Sequence, residues 1–296
     1  MRAALSLAPA WLLAVWAPAL ATAQEGRRDV VLATTTSLYE TGLLDSLALR
    51  FERATGLRLR VVAVGSGQAL KLGERGDADV ILAHSPEAER RFVASGAGLE
   101  RRIVAWNYFV IVGPPDDPAG VRQAPSAAAA LARIALSEAP FASRGDSSGT
   151  HARELALWRA AGGLSRWPGY LEVGQGMAAT LLVANERRAY ALSDQSSFLA
   201  LARRLDLVEL VRADSQLVNA YHVIPVNPLG RPGVNAAGAR AFADFLVSRA
   251  AQDLIAGFGR ERFGRALFAP ALAGEPEPQP PALNPSPGTP ISVIRR

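Results

Sequence analysis

Short apolar runs and amphipathic stretches alternate along this chain from Asp29 onward. Residues 29–33 (Asp-Val-Val-Leu-Ala) are an apolar run of strand length, followed by Thr34-Thr35-Thr36-Ser37. Leu43, Leu44, Leu47 and Phe51 then recur at helical spacing, and Gly56 stops that helix. The order returns with a strand over 57–64, the turn Gly65-Ser66-Gly67 and a helix over 68–74, and again with a strand over 79–83 and a helix over 86–94 stopped by Gly96. Strand, polar turn and helix in repeated succession predict an α/β fold with a mostly parallel sheet covered by helices on both faces.

A further strand over 108–112 runs into Gly113-Pro114-Pro115-Asp116-Asp117-Pro118, which breaks the pattern and marks a lobe boundary. The second lobe has the same grammar. Phe141-Ala142 leads into Ser143-Arg144-Gly145-Asp146-Ser147-Ser148-Gly149-Thr150-His151, and a helix from Thr150 is expected to bury Leu155 and Trp158. Residues 171–173 precede Gly174-Gln175-Gly176 and a helix over 177–187; residues 190–192 precede Ser193-Asp194-Gln195-Ser196-Ser197; residues 207–211 form one more strand. Residues 221–226 carry the chain back, and Pro225 predicts an edge or crossing strand there. A single helix is expected over 236–256, with Phe242, Phe245, Leu246, Leu254 and Ile255 on its apolar face. The expected organisation is therefore 24–109 plus 224–273 as lobe 1, 110–223 as lobe 2, and 274–296 as a disordered Pro-rich tail.

Residues 1–23 read as a cleavable signal peptide: a basic start, an apolar run to Leu20 and Ala21-Thr22-Ala23 as the cleavage pattern. Export places the mature chain in the periplasm. The absence of cysteine excludes a lipid anchor on an N-terminal Cys and a disulfide framework, so the core must carry the fold alone. The net charge of +5 is spread along the chain with Lys71 as the one lysine, and no dense basic or aromatic-basic stripe points to nucleic acid. A hydrolase triad from Ser148, His151 and Asp146 is disfavoured, because residues so close around a helix start do not orient one another and no Gly-x-Ser-x-Gly elbow is present. His84, His151 and His222 lie in separate segments without metal-ligand spacing and read as helix-start or strand-end hydrogen bonders. The chain is therefore expected to bind rather than catalyse, with no cofactor and no metal cation.

Three turns rich in Gly, Ser and Thr sit where a strand ends and a helix starts: 34–37, 65–67 and 143–150. In open α/β sheets ligands gather at such ends. Small residues let backbone N–H groups approach a guest, hydroxyls add neutral donors, and helix N-termini add partial positive charge. Two turns in one lobe facing one in the other predict a cleft for an oxyanion. Arg144 is the full positive charge in these turns. Asp146 would repel an ionised guest and reads as a helix cap paired with Arg144, which favours an anion with no proton to donate.

These turns, together with Gly76-Asp77-Ala78-Asp79-Val80, Gly174-Gln175-Gly176-Met177 and Val226-Asn227-Pro228, resemble the tungstate-binding proteins of bacterial ABC importers, over residues 30–268. The resemblance implies a two-lobe type II periplasmic binding protein of the molybdate/sulfate kind, with the ligand cleft between the lobes. It further implies a monomer that closes on tungstate, or on molybdate of nearly the same shape, and a permease and ATPase as partners in the inner membrane. Sulfate and phosphate are the other anions open to such a cleft. Thr34, Thr35, Thr36, Ser37, Arg144 and Asp146 fall in stretches that line the site in the family; Ser66, Gly67, Ser148, Gly149 and Thr150 complete the expected ligand set. The chain departs from the family pattern at Gln195, where an Arg is usual, and at His222, where Gly is frequent.

Overall fold

The alternation read from the sequence is present from the first strand. A computed structural model describes residues 28–146, 148–212 and 214–271; the expected signal peptide (1–23), the Pro-rich tail (274–296) and Ser147 lie outside them. The first lobe starts with β1 (Asp29–Thr35), α1 (Thr36–Glu40), α2 (Leu43–Thr55), β2 (Arg58–Val64), α3 (Ser66–Arg75), β3 (Val80–Ala83) and α4 (Pro86–Ala94). Val30, Leu32, Val80 and Leu82 pack on one face of the sheet against α2, whereas Ala33, Ile81 and Ala83 pack on the other against Ala69 and Leu70 of α3 and Phe92 of α4. This is the period-two division that a sheet covered on both faces requires.

β4 (Arg102–Gly113) then runs through both lobes. The second lobe contains α5 (Ala127–Leu136), β5 (Phe141–Ser143), α6 (Gly149–Ala160), β6 (Tyr170–Glu172), α7 (Met177–Glu186), β7 (Ala191–Asp194), α8 (Gln195–Leu201) and β8 (Val208–Val211). The chain returns through β9 (Val218–Pro225) and ends in α9 (Ala236–Leu246), α10 (Arg249–Gly257), α11 (Arg260–Phe263) and β10 (Ala269–Pro270). Along β4 the partner changes between Tyr108, opposite Val218 of β9, and Phe109, opposite Asp194 of β7. Beyond that point Phe109 and Ile111 enter the core under α5 and α6, and Val110 and Val112 the core under α7 and α8. β1, β2 and β3 run parallel, β9 antiparallel between β3 and β4, and β5 pairs in parallel with β6.

Several expectations change. β9 is an interior strand, not an edge, because Pro225 is its last residue and its missing N–H falls where the ladder ends. All of β9 pairs within the first sheet, with β3 on one side and β4 on the other. The helix over 236–256 is two helices: it breaks at Val247, and the Ser248 hydroxyl caps α10 by accepting from Ala251 N. On α6 the buried residues are Gly149, Thr150, Glu154, Leu157 and Trp158, and Leu155 is only half-buried.

Candidate functional site

Four strand ends meet at one cleft, because the helices that follow them begin there. β1 ends in Thr35, which caps α1 with its side chain; β2 ends at Gly65, the backbone cap of α3; β3 runs into His84 and Ser85 ahead of α4; β5 runs into Arg144 and the turn that opens α6. The cleft between them is nearly closed, with only about 10 Å³ open to a water-sized guest. Its first-lobe wall is Thr35, Thr36, Ser37, Val64, Gly65, Ser66 and His84; its second-lobe wall is Arg144, Ser148, Gly149 and Thr150. Hydroxyls, glycine backbone and one guanidinium dominate this lining, and among the described residues no carboxylate is part of it.

Thr34 and Gly67 of the expected set stand apart from the lining. Thr34 is fully buried and its hydroxyl donates to Leu82 O at 2.8 Å, so it ties β1 to β3. Gly67 lies inside the first turn of α3, one residue beyond the part that faces the cleft. Gln195 opens α8 and is likewise outside the lining. Ser66 Oγ is buried and has no hydrogen-bond partner, an arrangement a folded protein rarely keeps unless a guest supplies one.

Arg144 is held from three sides. Its guanidinium donates to Gln175 O at 2.9 Å and to Asp146 Oδ2, and its backbone N–H donates to Glu154 Oε2 at 3.2 Å. Asp146 also accepts from Ser148 N at 3.1 Å; it is the ion-pair partner of Arg144 expected from the sequence, whereas the cap expected of it is supplied by Ser148, the N-cap residue of α6. Burial pushes the Asp146 carboxyl up, but hydrogen bonds from Ser148 and Arg144 outweigh it and hold the group below the ordinary carboxylate range. Ser148, the N-cap of the twelve-residue α6, accepts from His151 N at 3.2 Å, and Gly149 and Thr150 of the first turn line the cleft. Beneath Arg144, burial pushes the Glu154 carboxyl up to about 7.

Sequence reasoning missed His84 as a wall of the cleft. Its ring stacks on Tyr221 at 4.9 Å between centroids, Nδ1 is 2.8 Å from Asn219 Oδ1, and Nε2 is 3.4 Å from Ser37 Oγ. Burial lowers its pKa, against the opposing effects of Asp194 and the Asn219 hydrogen bond, so the ring is neutral. The usable signal was position: His84 follows a strand end just as the flagged turns do, without their run of glycines and hydroxyls. Behind it, Asn219 Nδ2 donates to Asp194 Oδ2 at 2.6 Å and Tyr221 OH donates to the same oxygen at 2.7 Å.

Two lobes joined by β4 and β9, closing strand-end turns around a small polar cleft, define a type II periplasmic binding protein, and the PBP superfamily domain matches residues 20–250. The chain is 44% identical over 251 residues to the tungstate-binding protein TupA of Peptoclostridium acidaminophilum, spanning 84% of this chain and 88% of that protein. The solved tungstate binding protein TupA from Desulfovibrio alaskensis G20 is 43% identical, with a TM-score of 0.74 over 82% of this chain and 99% of that one. The structure of the tungstate ABC transporter from Geobacter sulfurreducens is also 43% identical, with a TM-score of 0.71 over 77% of this chain and 97% of that one. The chain belongs to the TupA family of binding proteins.

Proposed function

We propose that this chain captures tungstate in the periplasm and hands it to an ABC importer, binding the anion without chemical change. One observation carries the reading: the cleft offers hydroxyls, helix N-termini and the Arg144 guanidinium from both lobes, with no carboxylate in the lining among the described residues. Such a wall suits a fully ionised tetrahedral oxyanion, whose oxygens accept hydrogen bonds and have no proton to give. Asp146, the nearby carboxylate, is engaged by Arg144 and Ser148. The assigned contacts are Thr35, Thr36, Ser37, Ser66, Arg144, Ser148, Gly149 and Thr150, with His84 added to the set read from the sequence.

The lobes hinge where β4 changes partner at Tyr108 and Phe109 and where the chain enters β9 at Val218. A guest that touches both walls favours the closed state. In this reading a monomer is the binding unit. Among the described residues no helix is long and apolar enough to cross a membrane. Delivery by docking of the closed, loaded protein on the importer is part of this reading.

A ligand that binds the native state alone stabilises it by RT ln(1 + [L]/Kd), about 4 kcal/mol at a thousandfold excess over Kd. A thermal-shift panel of tungstate, molybdate, sulfate and phosphate on ligand-stripped protein tests the reading. Tungstate is expected to give the largest shift. Equal shifts for sulfate and tungstate would overturn the ligand assignment, and no shift with any oxyanion would overturn the class of ligand.

A further inference from the structure

We propose that His84 is the proton acceptor of the anion site: binding of tungstate draws one proton from solvent onto Nε2, and the resulting imidazolium donates to Ser37 Oγ while the Ser37 hydroxyl turns its own proton to the anion. The inference rests on the tungstate reading of the cleft. It starts from the orientation of Asn219. The two protons of Asn219 Nδ2 are shared among Asp194 Oδ2, Asn107 Oδ1 at 2.8 Å and Tyr221 OH at 2.9 Å. Because the Asp194 carboxylate only accepts, the amide cannot be turned round, and Asn219 Oδ1 faces His84 as an acceptor. The proton of the neutral imidazole therefore sits on Nδ1, and Nε2 presents a lone pair toward Ser37 Oγ.

In that state Ser37 has two acceptors within reach, His84 Nε2 and Thr35 Oγ1, both at 3.4 Å. A tungstate oxygen is a third acceptor, and His84 then faces the anion with a lone pair and no proton. Adding a proton to Nε2 removes the conflict: the solvent acid gives up the proton, the lone pair takes it, and no other bond changes. The charges surrounding the ring favour the step once a dianion is present. Arg144 is largely offset by Asp146, and Glu89 on α4 is met by Arg101 at 2.8 Å and by His222 at 3.1 Å. Asp194 at the start of α8 lies behind Asn219, and Tyr221 of β9 and Phe109 of β4 stack on the ring, with Arg153 of α6 over the Phe109 ring at 5.8 Å. A dianion adds two negative charges to this set, and His84 is the titratable group of the lining that can answer them.

The test is isothermal titration calorimetry of sodium tungstate into the protein near about pH 7 in buffers of different ionisation enthalpy, for the parent, His84→Gln and Glu154→Gln. The parent and Glu154→Gln are expected to take up a proton, with affinity weakening by up to about tenfold per pH unit as pH rises, and His84→Gln to take up none and lose the pH slope. Tungstate binding by the parent without proton uptake would overturn the inference and leave the ligand reading standing. Uptake that survives in His84→Gln and vanishes in Glu154→Gln would move the proton to Glu154 and overturn it too. Absence of any tungstate binding would overturn both. A second readout needs no His84 variant: ¹⁵N spectra of the three histidines, assigned by replacing His151 and His222 in turn. Tungstate is expected to convert Nε2 of His84 from a bare to a protonated nitrogen, and an unchanged bare signal in the tungstate-bound protein would overturn the proposal.

Discussion

Gly149, the first residue of α6, lies so near the His84 ring that a β-carbon built on it would stand 3.1 Å from Cε1 of that ring. The same atom would also stand 3.1 Å from Ser66 Oγ and 3.2 Å from Ser85 Oγ. All three neighbours belong to the first lobe, whereas Gly149 belongs to the second, so the contact measures how tightly the two walls meet.

Gly149→Ala should therefore prop the cleft open without unfolding the protein. Alanine is favourable at the first turn of a helix, so thermal stability of the ligand-free protein is expected to be unchanged or slightly raised. Closure on the anion must then move the His84 and Ser66 walls by a few tenths of an ångström, and tungstate affinity is expected to drop at least about tenfold, or 1.4 kcal/mol. Calorimetry on the variant checks this; parent-like affinity would mean that the walls do not close here.

Arg144→Ala tests the one full charge of the lining. Hydrogen bonds to a charged group contribute about 1.5–3 kcal/mol, so affinity should fall by roughly ten- to a hundredfold. Arg144→Lys is expected to recover little of the loss, because a point charge cannot hold Gln175 O and Asp146 together as the guanidinium does. Equilibrium binding of tungstate to both variants decides it, and tight binding by the Ala variant would remove Arg144 from the site.

The first lobe was largely legible because β1 and β3 carry short, continuous apolar runs that are largely buried, and because glycines end two of its helices: Gly56 and Gly76 both adopt the left-handed conformation that stops α2 and α3. α5 was not read at all. It opens on four alanines, and only Leu131 and Ile134 mark its buried side with large residues. α6 misled for a different reason: the fully buried Glu154 interrupts its apolar face, which moved the expectation to Leu155. In the cleft, the glycine and hydroxyl turns were visible as composition. The wall behind them was not, since His84 meets Asn219 across 135 positions of sequence and Asn219 meets Asp194 across 25. Such pairings come from the return of β9 into the first sheet, and Pro225 had pointed away from that placement.

Glu154→Gln isolates the buried carboxyl under Arg144. Burial raises this group from 4.5 to about 7, so the native state holds a proton that the unfolded chain has lost between those values. Stability contributed by the group is present at low pH and falls as pH rises to about 7, by on the order of 3 kcal/mol at 1.36 kcal/mol per pKa unit. Glutamine keeps an acceptor for Arg144 N and a partner for Tyr170 OH. Urea unfolding across this pH range should therefore show a shallower decline for the variant, and identical slopes would mean that Glu154 is ionised in the native protein.

Asp194 joins the lobes from the opposite side of His84. It ends β7 of the second lobe and caps α8, accepting from Ser196 N at 2.8 Å and Ser197 N at 3.3 Å, while Asn219 and Tyr221 of β9 donate to it from the first lobe. Removing the carboxylate strands these buried donors together, which costs about 3–5 kcal/mol. Asp194→Ala should lower Tm by roughly 6–20 °C on the usual scale of 2–4 °C per kcal/mol for domains of this size. Asp194→Asn should recover only part of the loss, since its amide nitrogen would face donors in place of one carboxylate oxygen. The parent, the two variants and a Ser196→Ala control, melted with and without tungstate, separate the consequences. Loss of the α8 cap alone lowers all Tm values equally, whereas loss of the link to β9 also shrinks the stabilisation by tungstate, because Asn219 then no longer fixes His84 against the cleft.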